Sequence, residues 1–346
     1  WNNLGNALRK AGKLDAAVEA FQKAISASPD FATASANLGL TYDQMDRPDL
    51  AIGAYRRVVE LQPANAEAQY NLGNALRECC RIDDAMDAYR AVLSLRPDDV
   101  EARHNLALAF KDAGRIDDCL SELNCAQELR PNPVTARAIL CTAHFHPGYG
   151  PTRLYEMHAQ WNRQYAAPLA PPSLDFLNDP DPDRKLRIGY VSPDFCEHPV
   201  GRFFLPLVSH HDRGSFEIFC YSDVARPDSI TKAIKSHVNI WQPTRELSDD
   251  QLADQVRKDR IDILVDLTMH MKGSRLLAFA RKPVPVQVTY LAYCSTTGLE
   301  AMDYRLSDPY LDPLGIDESV YSEKTFRLSR TFWCYPRPHE LPEIGP

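Results

Sequence analysis

The sequence predicts an α-solenoid followed by a Rossmann-like α/β lobe built on a parallel sheet. Three observations carry that expectation. The first third of the chain repeats itself with a period of 34 residues. From Lys185 onward, apolar runs of strand length alternate with segments of helical periodicity. Between the two regimes lies "PLAPPSLDFLNDPDPDR" (168–184), whose prolines suit a connector rather than a core.

Self-comparison isolates the repeat. "NNLGNAL" (2–8), "ANLGLTY" (36–42), "YNLGNAL" (70–76) and "HNLALAF" (104–110) recur in register, and Pro29, Pro63, Pro97 and Pro131 keep the same interval. Each unit holds two stretches with apolar residues at i, i+3 and i+4, so each is a helical hairpin. Gly12 turns the first, and the prolines close the second helices because proline cannot continue one. With Trp1, Leu4, Gly5, Leu8, Ala17, Phe21, Ala24 and Pro29 in signature positions, the unit resembles the tetratricopeptide repeat. Gly5, Gly39, Gly73 and Ala107 permit close helix approach, and Phe21, Tyr55 and Tyr89 fill the gap. The fourth unit departs at Glu122-Leu123, as suits the last of a stack.

Asn3, Asn37, Asn71 and Asn105 also repeat in register. Two roles are open to them: bonding to a neighbouring helix end, or forming an amide ladder along the concave face. An amide both donates and accepts, so a ladder matches the backbone of an extended peptide without reading its side chains. The ladder is the preferred reading.

Composition narrows the function classes. Apolar residues make up 44% and charged residues 25% of the 346, ordinary for a globular chain, and the net charge of −8 argues against a general nucleic-acid or anionic-membrane binder. No run approaches the roughly 18 apolar residues of a membrane span. The nine cysteines form no CxxC pair, which suggests reduced thiols and a cytoplasmic setting. The sequence opens on Trp1, partway into a first helix, so it is expected to be a piece of a longer protein.

The period is lost from Val134 to Asp183. "TRLYEMHAQWNRQYAAP" reads as one amphipathic helix before the proline-rich stretch. The expected division is therefore 1–133 repeats, 134–183 helical connector, and 184–346 lobe. His144 and His146 lack a cysteine or carboxylate at matching spacing, and Asp179, Asp181 and Asp183 alternate with prolines as a solvated linker does. No metal is expected.

In the lobe, strands are expected at 186–192, 216–223, 261–268 and 286–293, and helices at 200–210, 228–238, 248–259 and 274–282. Ser248 with Gln251 forms a capping box. Ligands of doubly wound sheets gather beyond the carboxyl ends of the strands. Those ends lead to Pro193–His198, to "MHMKGSR" with His270 and Lys272, and to "CSTTG" with Thr296 and Thr297. No GxGxxG, Walker loop, HExxH or GxSxG is present, and "SHHD" (209–212) reads as a polar turn.

The repeats followed by "LRIGYVSPDFCEHPVGRFF" (186–204), "RIDILVDL", "GSRLLAFARKPVPVQVTYLAY", "TTG", "MDYRLSDP" and "YSEKTFRL" resemble the nucleocytoplasmic protein O-GlcNAc transferase family, including its bacterial and SPINDLY-like members. The resemblance covers nearly the whole chain. It implies a two-lobed GT-B glycosyltransferase, of which 184–346 is the amino-terminal lobe, and inverting transfer of N-acetylglucosamine from UDP-GlcNAc to serine or threonine of proteins lying along the repeats. It also implies that the second lobe would begin about where the chain ends, so residues 1–346 alone are expected to transfer no sugar.

Site roles follow from the same resemblance. His198 matches the family's His-Pro motif, as general base or as a group positioning donor and acceptor, and Pro199 restricts its backbone. Asp254 matches an acid that some members place near the site. Pro199, His270, Lys272, Thr296 and Thr297 are expected to bind the nucleotide sugar, with no other cofactor. The chain departs from its relatives at Tyr293-Cys294-Ser295-Thr296, where they often read Tyr-Pro-Gly-Thr, and at "MHM" (269–271), which lacks a common glycine. Two alternatives stand beside this reading: a peptide-binding scaffold with an inactive lobe, and a fucosyltransferase using GDP-fucose.

Overall fold

The computed structural model describes residues 1–335; the end of the expected lobe, 336–346, lies outside them. The chain divides into two units, Trp1–His146 and the part from Pro147 onward. Among the described residues the first unit pairs α1 (Asn2–Lys10) with α2 (Leu14–Ala27), α3 (Ala32–Gln44) with α4 (Pro48–Leu61), α5 (Ala66–Glu78) with α6 (Ile82–Leu95), and α7 (Val100–Asp112) with α8 (Ile116–Leu129). Each hairpin turns through a left-handed residue: Gly12, Asp46, Cys80 and Gly114, at φ 72°, 60°, 56° and 74°. A Cβ on Gly5, Gly39 or Gly73 would stand 2.6 Å from the ring of Phe21, Tyr55 or Tyr89, so the aromatic fill requires glycine opposite. The fourth hairpin shrinks one position as it enlarges the other. Ala107 replaces the glycine, Leu123 replaces the ring, and both are fully buried. The expected connector is split between the units, because α9 (Pro133–Ala143) packs on α8 whereas α10 (Pro151–Trp161) belongs to the second unit.

The second unit contains β1 (Leu186–Ser192), α11 (Pro199–Ser209), β2 (Phe216–Ser222), α12 (Ser229–Ser236), β3 (Ile240–Pro243), α13 (Asp249–Lys258), β4 (Ile263–Asp266), α14 (Leu276–Ala280), β5 (Val286–Thr289), β6 (Tyr304–Ser307) and β7 (Lys324–Arg327). Among the described residues the sheet has seven strands in the order β3-β2-β1-β4-β5-β6-β7. Every neighbouring pair is parallel, with Ile188 opposite both Ile218 and Ile263. The core beneath α11 stacks Phe204 against Tyr190 and Phe195, with ring centroids 4.7 and 4.9 Å apart. The chain steps outward from β1 to β2 on one side and continues from β4 on the other. The β1–β4 junction is therefore the switch point at which such sheets open a crevice. Among the described residues, no helix is long and apolar enough to cross a membrane.

Candidate active site

A cavity of about 1030 Å³ occupies that crevice. Its wall includes Pro193, Asp194, His198 and Pro199 beyond β1, Met269, Met271, Lys272 and Gly273 beyond β4, and Tyr290 to Ser295 beyond β5. The first two loops touch. Gly273, at φ 81°, lies so near that a Cβ would meet the Pro193 ring at 2.8 Å.

The loop from Pro193 to His198 is held by its neighbours. The Ser192 hydroxyl accepts the Asp194 N–H at 3.0 Å, Thr231 Oγ1 donates to the Phe195 carbonyl at 2.7 Å, and the Asp228 carboxylate accepts the Glu197 N–H at 2.6 Å. His198 is the N-cap of α11, its Nδ1 accepting the Val200 N–H at 3.3 Å, and Pro199 takes the first helical position, where a missing N–H costs nothing. The imidazole is partly exposed, with Asp194 Oδ2 at 3.8 Å. Burial pushes the Asp194 carboxyl up, and the charge of a protonated His198 opposes that shift.

The expected site residues separate into three groups. His198, Pro199 and Lys272 line the cavity together. His270, Thr296 and Thr297 do not. All three are buried behind the wall because the loops fold inward on their polar groups. His270 Nε2 lies 2.7 Å from the Thr297 carbonyl, with its ring edge-on to Trp161 and His158. Glu323 accepts Thr296 Oγ1 at 2.7 Å and the Thr297 N–H at 2.6 Å. Asp254 stands on the exposed face of α13, paired with Arg257 at 2.9 Å, and is not part of the cavity wall.

The four asparagines belong to the first unit. Asn37 Nδ2 donates to Asn2 Oδ1 at 3.0 Å, and Asn105 Nδ2 donates to Tyr70 Oη at 2.8 Å and Asn74 Oδ1 at 3.0 Å. Those amides are therefore tied to the preceding hairpin, and their carbonyl oxygens remain as acceptors.

The β4 exit is strained. Met269 is left-handed at φ 48°, a conformation that costs a non-glycine residue about 1 kcal/mol. Asp266 holds it, accepting the Met269 and Thr268 N–H groups at 2.8 and 3.2 Å. Burial pushes the Asp266 carboxyl up to about 6, despite those backbone bonds and the Thr289 hydroxyl. A raised acid favours the folded state while protonated, so this contribution is complete below about pH 4 and is lost as pH rises through 6. Asp266→Asn is expected to remove that slope. Urea unfolding, read by a fluorescence signal that includes the lobe's Trp161, Trp241 and Trp333, should move by up to about 2 kcal/mol in the variant's favour between pH 4.5 and 7.5. An unchanged wild-type-minus-variant difference would refute it.

The model of glycosyl transferase family 41 matches residues 156–342, and tetratricopeptide models match 5–46, 37–93 and 73–114. The chain belongs to glycosyl transferase family 41. It is 36% identical over 198 residues to a protein of Arabidopsis thaliana named probable UDP-N-acetylglucosamine–peptide N-acetylglucosaminyltransferase SPINDLY, covering 56% of this chain and 21% of that one. Over 153 residues it is 35% identical to the Arabidopsis protein of the same description named SEC, covering 44% and 15%. A mutant of the O-GlcNAc transferase of Thermobaculum terrenum superimposes with a TM-score of 0.80 at 37% identity, covering 89% of this chain and 59% of that one. The chain thus spans about a fifth of the length of its SPINDLY relatives.

Within this family 41 lobe, several cavity residues escaped the sequence reading. Asp223 and Arg245 follow β2 and β3, while Arg305 and Ser307 lie on β6. Asp223 is held by Thr244 Oγ1 at 2.8 Å and Arg275 at 3.3 Å, and Arg305 is paired with Asp312. Among the described residues Lys272 and Arg245 are exposed cations of the cavity wall, and Arg245 acts on Asp223 through its charge without a direct ion pair.

Proposed function

We propose that the whole protein is an inverting protein O-glycosyltransferase that moves N-acetylglucosamine from UDP-GlcNAc to serine or threonine hydroxyls. In that reaction the hydroxyl oxygen bonds to the anomeric carbon, the bond to the diphosphate breaks, UDP departs with the electron pair, and the hydroxyl gives up its proton. The observation that carries the reading is His198 at the rim of the switch-point cavity of a family 41 lobe. Lys272 and Arg245 suit the negative charge of a diphosphate leaving group.

The role of His198 follows from its tautomer. Because Nδ1 accepts the Val200 N–H, the neutral ring carries its proton on Nε2, which is then a donor. That supports a positioning role, with Nε2–H holding an oxygen of donor or acceptor. A base role at Nε2 requires the proton to shift to Nδ1 and turn toward Asp194, at 3.8 Å. Acceptor proteins are assigned to the repeats, where the Asn37 and Asn105 carbonyl oxygens meet peptide N–H groups.

His198→Ala in the whole protein is expected to lower kcat/KM for sugar transfer at least about tenfold and to leave peptide binding by the repeats unchanged. A wild-type rate would leave His198 with its capping role alone. Offering UDP-GlcNAc and GDP-fucose side by side tests the donor, and transfer from GDP-fucose only would overturn that assignment.

A further inference from the structure

We infer that His158, on the connector helix α10, is a positioning residue for transfer, latching the cavity loop through the Tyr293 hydroxyl; the role presupposes the transferase reading above. The loop after β5 forms one wall of the cavity through Leu291, Ala292, Tyr293, Cys294 and Ser295. Leu291 and Ala292 are both left-handed, at φ 61° and 58°, without being glycine. Two consecutive residues in that region persist only where the surroundings overdetermine them.

Leu291 and Ala292 pack into the sheet core, and the next residue, Tyr293, is held by α10. His158 is fully buried, its Nδ1 lying 2.6 Å from the Leu154 carbonyl and its Nε2 3.0 Å from Tyr293 Oη. A carbonyl only accepts, so Nδ1 carries the proton, and in the neutral ring Nε2 accepts from the tyrosine. Downstream, Gly298 at φ 73° packs so closely that a Cβ would meet the His158 carbonyl at 2.6 Å. The same helix presses Trp161 and His158 edge-on against His270, with ring centroids 4.9 Å apart in both cases, which seats the loop after β4 as well. One buried imidazole therefore ties a helix of the connector to two walls of the cavity.

The test uses the whole protein and four variants. Tyr293→Phe deletes one oxygen. His158→Asn keeps a donor near Nδ1 for Leu154 but has nothing that reaches Tyr293, while His158→Gln places an amide oxygen near Nε2. Tyr293→Phe and His158→Asn are each expected to lower kcat on the order of tenfold, with KM for the acceptor peptide unchanged. The double variant should be no worse than either single one, and His158→Gln should recover most of the loss. Wild-type kinetics in Tyr293→Phe, or losses that multiply in the double variant, would overturn the latch. If the wild-type protein turns over neither donor, the transferase reading fails by itself. The latch is then read from peptide-resolved alkylation of Cys294, an exposed thiol beside Tyr293. Faster labelling in both single variants supports it, and wild-type labelling in both refutes it.

Discussion

On the transferase function proposed above, Gly201→Ala in the whole protein is expected to lower sugar transfer by about a hundredfold or more, and it should cost the lobe about 3 kcal/mol of stability. The added Cβ would stand 2.1 Å from the Cys196 carbonyl oxygen and 2.9 Å from that of Asp194. Both obstacles are backbone, so no rotamer change relieves them. Nor is the loop free to retreat: Phe195 is fully buried, its carbonyl is taken by Thr231, and Glu197 is tied to Asp228. The strain must be met by moving residues 194–198 or the first turn of α11, and either shift carries His198 away from the cavity rim. Urea unfolding and steady-state transfer read the two effects separately. A variant with wild-type midpoint and rate would mean that the close approach is not required.

The glycine was visible in "HPVGRFF" before any coordinates, but its reason was not. Much of the fold was legible in the same way. The period of 34 residues marks the hairpins because each unit must repeat its apolar face to stack on the next. The four central strands stand out because parallel strands buried on both faces read as unbroken apolar runs. β3, β6 and β7 escaped because they are half exposed; Tyr304 and Phe326 face outward there, and a strand covered on one side leaves no continuous run. Missing β3 also meant missing Arg245, which follows it.

The site was legible as three loops but not residue by residue. Strand exits are where polar side chains gather, so His270, Thr296 and Thr297 looked like ligands as readily as His198 and Lys272 did. Sequence order does not say which side of a loop faces the cavity. That is decided by partners far along the chain, Glu323 for the threonines and the α10 aromatics for His270. Asp254 escapes correct placement for the same reason, since a helix face is assigned by what packs on it.

The other large effect is expected at the opposite end of β4, where Asp262→Ala should cost the lobe about 3 kcal/mol. Asp262 is buried and takes four donors: Arg184 Nη1 and Nη2 at 2.7 and 2.6 Å, the Arg187 N–H at 2.8 Å, and Asn178 Nδ2 at 2.6 Å. It binds the end of the proline-rich stretch to the starts of β1 and β4; removing it leaves the Arg187 N–H without this acceptor and leaves the Arg184 guanidinium with its bonds to the Asp179 and Lys185 carbonyls alone. Burial alone would raise this carboxyl, but Arg184, the Arg187 N–H and Asn178 together hold it below the usual range. A lowered acid stabilises the fold above its unfolded pKa and loses that contribution as pH falls through its folded one. The gap between wild type and Asp262→Ala should therefore be widest near pH 7 and shrink in acid; a gap that stays constant down to pH 3 would refute the charge pairing. Asp266, only one strand away, has the opposite sign. At the amino end of β4 the chain matches its buried acid with donors and gains stability, whereas at the carboxyl end it leaves an acid without a cation to hold a left-handed residue in the cavity wall.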